Sequence, residues 1–92
     1  MKRFADVISR QLELFEEDGV LTEVQEAKDR YDRAPRDEAE EAFGDYMDVV
    51  DATKDALVDM RNAYARTLDA DAAEDYEAAF ERAALKRWRW LA

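Results

Sequence analysis

Phe43, Val50, Leu57 and Tyr64 fall seven residues apart, and Tyr46, Thr53, Met60 and Thr67 repeat that interval three positions later. An a/d pattern sustained over four heptads keeps one narrow seam turned toward a partner. The spacing therefore predicts a long helix over about 36–68, packed along another helix. Pro35 suits its first turn, where a missing N–H costs nothing, and Asp37, Glu38, Glu40 and Glu41 favour the positive end of its dipole. At ~1.5 Å per residue the helix is about 50 Å long. The rest of a 92-residue chain has to be arranged along it.

Composition agrees with an all-α reading. Glycine (2) and proline (1) are scarce, alanine is abundant, and 48% of residues are hydrophobic, so the chain is a helix-former able to bury a core and not a disordered acidic tail. A single domain spanning 1–92 is expected, small enough that any sizeable uncovered apolar surface points to a partner. After the long helix, Asp69-Ala70-Asp71 reads as a short connector in which Asp69 or Asp71 caps the next helix, over about 71–90. Ala73, Tyr76, Phe80, Ala83 and Trp90 form its apolar stripe. So short a connection implies antiparallel neighbours.

The first third carries two stripes instead of one. At ~100° per residue, Phe4, Val7, Ile8, Leu14 and Phe15 share one arc, with Leu12 at its edge. Val20, Leu21, Val24, Ala27 and Tyr31 share another, rotated by more than about 150° if the helix is continuous. Asp18-Gly19, a turn signal, lies between the two sets, and Thr22 precedes Gln25 at capping-box spacing. The favoured reading is a segment broken or kinked near Gly19, with helical pieces at about 2–18 and 21–34; an unbroken helix offering its halves to different partners is the alternative. The architecture is thus an antiparallel bundle of three long helical segments, counted as three or four helices.

Segment lengths then place a candidate surface. The first and second long segments match, whereas the last helix is only about twenty residues and should stop opposite about Val49, beside Gly19. A three-helix bundle at one end and a bare two-helix tip at the other follow, unless residues 20–34 fold back over the core. The 20–47 tip offers Val20, Leu21, Val24, Tyr31, Phe43 and Tyr46, with Met47 nearby, as an interface. Trp88 joins these candidates: in the closing LKRWRWLA, Trp90 continues the buried stripe while Trp88 falls roughly 160° away. Arg82, Lys86, Arg87 and Arg89 crowd the last turns, where cations meet the negative end of the dipole and can pair with the acidic middle segment.

Chemistry is sharply bounded. Without cysteine or histidine there are no thiolate or imidazole ligands, no cysteine nucleophile and no histidine base, and the Glu-x-x-His motif of di-iron bundles is absent. Asp18-Gly19 lacks the alternating acids of a calcium loop. Asp48, Asp51, Asp55 and Asp59, spaced 3, 4 and 4, form one acidic face opposite the seam; a row along one helix cannot wrap an ion, so it reads as solvated. No serine or threonine sits in a recognisable nucleophile motif. The expectations are no enzymatic activity, no metal and no cofactor.

A formal charge of −10 argues against direct contact with nucleic acid, whose phosphates demand a basic face. The opening MKRFADVISRQLELFEED has charges too frequent for a signal core, so a cytoplasmic protein is expected. The leading expectation is action by protein–protein contact, most simply as a homodimer through the tip. An inhibitor or antitoxin-like protein whose acidic face mimics nucleic acid for a basic partner is the second. Peripheral membrane binding through the Arg/Trp tail is the third and weakest, since two tryptophans on different faces suit an interfacial helix poorly.

Overall fold

The computed structural model describes residues 3–91. Four helices, α1 (Ala5–Glu17), α2 (Val20–Arg33), α3 (Ala39–Ala65) and α4 (Ala70–Arg87), are followed by a 3-10 turn at Arg89–Leu91, and no strand occurs among the described residues. The molecule is a rod of 51 × 20 × 19 Å.

Gly19 breaks the first segment. Its φ of +81° lies in the left-handed region, which glycine adopts without a Cβ penalty. The Gly19 N–H bonds back to the Glu16 carbonyl at 3.2 Å and closes α1 on a left-handed glycine, while the Thr22 N–H donates to the Gly19 carbonyl at 3.1 Å and starts α2. The capping box expected at Thr22 does not form: Thr22 is inside α2, whose first turn has no side-chain cap, and Gln25 instead bonds Asp29 at 2.9 Å. The break lets two stripes on opposed arcs both face inward. Ile8, Leu12 and Phe15 of α1 are buried, as are Val24 and Ala27 of α2.

Contacts fix the directions. Phe4 meets Tyr76 edge-on at 5.4 Å and Phe15 meets Trp88 at 5.7 Å, so α1 runs parallel to α4. Tyr64 packs on Tyr76 at 4.7 Å across the tight connection between α3 and α4, which are therefore antiparallel. α2 lies against α3, bringing Tyr31 to Phe43 and Tyr46. Residues 20–34 thus extend the pairing along α3 and do not fold back over the core. One end of the rod holds α1, the C-terminal half of α3 and α4; the other holds α2 and the N-terminal half of α3 alone.

Helix ends explain the remaining differences from the pattern. Asp69 caps α4, its side chain accepting the Ala72 N–H at 2.9 Å. The α3 helix starts at Ala39, three residues later than the pattern suggests, because Pro35–Glu38 closes a turn through a 2.9 Å bond from the Glu38 N–H to the Pro35 carbonyl. At the other end the expected helix to Trp90 stops at Arg87. Trp88 is extended (φ −128°, ψ 96°) and its N–H donates to the Ala84 carbonyl at 2.8 Å.

The main core joins Ile8, Leu12, Phe15, Leu57, Tyr76, Phe80 and Trp88. Tyr76 is wholly buried and its hydroxyl donates to Gln11 Oε1 at 2.8 Å, satisfying the one polar atom of a core ring. Burial also pushes the Tyr76 phenol above its ordinary value of 10.0, since charge is disfavoured there. Between α2 and α3 the seam is thinner, with Val24, Ala27, Val50 and Thr53 buried. The Thr53 hydroxyl turns back to the Val49 carbonyl at 2.7 Å, which lets a polar residue occupy that seam.

Candidate functional site

Two surfaces stand open, one at the two-helix end of the rod and one along its three-helix part. At the two-helix end, Tyr31 of α2 packs against Phe43 at 5.2 Å and stacks parallel to Tyr46 at 6.3 Å. Three rings thus close the tip upon themselves. They cannot do so completely: Phe43 keeps 45% of its surface in water, although its heptad position puts it on the seam. The reason is length, because α2 ends at Arg33 and α4 stops beside Phe15, so no third helix reaches Phe43. One helical turn to either side, Glu40 is exposed and Met47 half-buried, forming one strip with Phe43. Next to them Gly44 presents bare backbone; a Cβ built there meets nothing within 4 Å.

The other expected tip residues lie elsewhere. Val20 and Leu21 are half-buried against the main core, because the first turn of α2 is still within its reach. Val24 is buried in the α2–α3 seam. The open tip therefore narrows to Tyr31, Phe43 and Tyr46.

Trp88 corrects the sequence reading most clearly. It is 7% exposed, lies on Phe15 and donates its indole N–H to Glu16 Oε1 at 3.2 Å. An outward Trp88 requires a helix that runs through residue 90. Once the helix ends at Arg87, an extended Trp88 swings inward and Trp90 becomes half-buried in the following turn. Arg87 also pairs with Glu16, on α1, and not with the acidic α3. That hydrogen bond holds the Glu16 carboxyl below its ordinary 4.5 and the guanidinium above its own ordinary value. Glu16 thus joins α1 to the last turn of α4 through two donors. Its position directly after Phe15, at the end of an apolar arc, is the signal in the sequence that could have marked it.

The second open surface is a groove of about 770 Å³ between α1 and α4. It is lined by Phe4, just before α1, by Ile8 and Leu12 of α1, and by Ala79 and Ala83 of α4. Alanines cause it: on this side of α4 the chain carries Ala78, Ala79 and Ala83, and methyl groups cannot fill the gap that larger residues close around Tyr76 and Phe80. Arg82 and Lys86, four residues apart on α4, stand on its rim. Both are exposed, and neither forms an ion pair among the described residues. Arg3 and Asp75, also on the rim, face each other at 4.0 Å. Nothing in the heptad pattern announces this groove; the run of alanines in α4 was the available clue.

Asp48, Asp51, Asp55 and Asp59 are all exposed along α3. No group of three or more carboxylates among the described residues is placed to hold a metal ion. The remaining exposed apolar residues, Leu14, Val58 and Leu85, are scattered along three different helices, which is ordinary for a surface. Among the described residues no helix is long and apolar enough to cross a membrane. Comparison of the chain with protein-family models, with curated proteins and with solved structures finds no match in any of the three.

Proposed function

We propose that this protein works by protein–protein contact, associating with further copies of itself through the two-helix tip. The observation that carries the reading is Phe43: a large aromatic residue on the heptad seam, 45% exposed, at the end of the rod that α4 does not reach. A ring placed where a third helix would cover it, and flanked by Glu40 and Met47, has the character of a small interface core with a polar margin. The strip is narrow, so the association belongs with weak, reversible interfaces and not with obligate ones.

Sedimentation over a concentration series tests this directly. The protein should gain mass with concentration, and Phe43→Asp should hold it at the monomer while leaving helix content by circular dichroism unchanged, since the residue is already half in water. A wild-type chain that stays monomeric across the whole series overturns the proposal.

A further inference from the structure

Resting on self-association through the tip, we infer that the tip of one copy docks into the α1–α4 groove of the next, head to tail, and not against a second tip. The two surfaces complement each other in shape and sign. The tip presents a half-exposed aromatic ring, Phe43, with Glu40 one turn before it and the carboxylates of Asp37, Glu38 and Glu41 around the start of α3, outnumbering Arg30, Arg33 and Arg36 at the end of α2 and the turn that follows. The groove presents an apolar floor deepened by Ala79 and Ala83, with Arg82 and Lys86 on its rim and no carboxylate paired to either among the described residues.

In a chain with 24 acidic and 14 basic residues, two copies repel at long range. Bringing two acidic α3 starts together adds to that repulsion, because like charges in juxtaposition oppose association. Bringing one of them to Arg82 and Lys86 relieves it locally. Helix-end electrostatics act in the same direction. The α4 cations near its negative end and the α3 carboxylates near its positive end stabilise their own helices. Each helix thus already displays at its terminus the charge that the other surface needs.

Tip and groove are separate surfaces, one on the α2–α3 pair and the other between α1 and α4. A contact between them is heterologous, so each docked copy still offers a free tip and a free groove, and assembly continues into a ring or an open chain instead of stopping at two.

Two variants, each spoiling one surface, give the test: Phe43→Asp for the tip and Arg82→Glu with Lys86→Glu for the groove. All three positions are exposed, and circular dichroism with thermal melting confirms that each variant is folded. Wild type should grow past the dimer with concentration. Each variant alone should remain a monomer. Their equimolar mixture should form a 1:1 dimer, about twice the monomer mass and no larger, since only one intact tip and one intact groove remain. Glu40→Lys should weaken self-association, and mixing it with the double groove variant should restore growth past the dimer, because its altered tip then meets a groove of opposite charge. A groove variant that still dimerises by itself, with Phe43→Asp monomeric, overturns the head-to-tail inference and leaves tip-mediated association standing. A wild type that never associates removes both. A mixture of the tip and groove variants that stays monomeric while wild type associates also overturns the inference.

Discussion

The Trp88 indole lies 5.7 Å from the Phe15 ring, tilted by 50°, and so ties the end of the α4 segment to the end of α1 immediately before the Gly19 break. This contact decides where the three-helix part of the rod stops. It also converts a residue that stands apart on a helical wheel into a member of the core. Beyond it only α2 and α3 continue, and the open tip exists for that reason.

Trp88→Ala should therefore cost about 3–5 kcal/mol, the range for deleting a buried large aromatic side chain. Against a typical total of ~5–15 kcal/mol, that is a large share of the stability of a small domain. Trp90→Ala, at a half-buried position, should cost clearly less. Urea denaturation of both variants measures the difference, and equal losses would show that Trp88 is not the anchor.

Acid should loosen this junction through Glu16. Its folded-state carboxyl titrates below the ordinary 4.5 because Arg87 hydrogen-bonds the charged form. A depressed acid contributes stability that is present above the unfolded value and is lost as pH falls through the folded one. Fluorescence of Trp88, read alone in a Trp90→Phe background, should shift toward that of a more exposed indole below about pH 4.5. Glu16→Gln should remove this component of the pH dependence while the other carboxylates continue to titrate. An identical pH profile in the two proteins would refute the linkage.

The two glycines should respond to alanine with opposite signs. Gly19→Ala forces a Cβ into the left-handed region and should destabilise the fold by ~1–2 kcal/mol, although space is open around it. Gly44 sits inside α3 with equally open space, so Gly44→Ala should stabilise by about 0.5–1 kcal/mol through helix propensity. For a domain of this size, ~1 kcal/mol corresponds to a shift of roughly 4–8 °C in Tm. Shifts in the same direction for both variants would contradict the backbone assignment at one of the two positions.

Much of this architecture is written in local pattern. The seven-residue spacing of α3, the opposed arcs around Gly19, the Asp69 cap and the shortness of α4 are properties of residues close in the chain, where helical periodicity and backbone preference act without help from distant contacts. The all-α class, the break and the two-helix end follow from them.

Side-chain destinations were legible only as far as the helix ends were known. A difference of one turn at the end of α4 moved Trp88 from the surface to the core, because an extended residue no longer obeys the 100° rule. Val20 and Leu21 left the tip for a related reason: how far the core extends past Gly19 depends on where α1 and α4 end against each other. Phe43 shows the converse, a seam residue by pattern that stays half in water because nothing arrives to cover it.

What the sequence determined by itself is the set of helical segments, their order and the stripes they bury, since these depend on short-range geometry. Only the tertiary structure decided the Glu16–Arg87–Trp88 junction, the α1–α4 groove and the final extent of the open tip. Each of these joins residues from separate helices, the Glu16–Trp88 pair 72 positions apart in the chain, and is set by which side chains are too small, too short or too far away to fill a shared space.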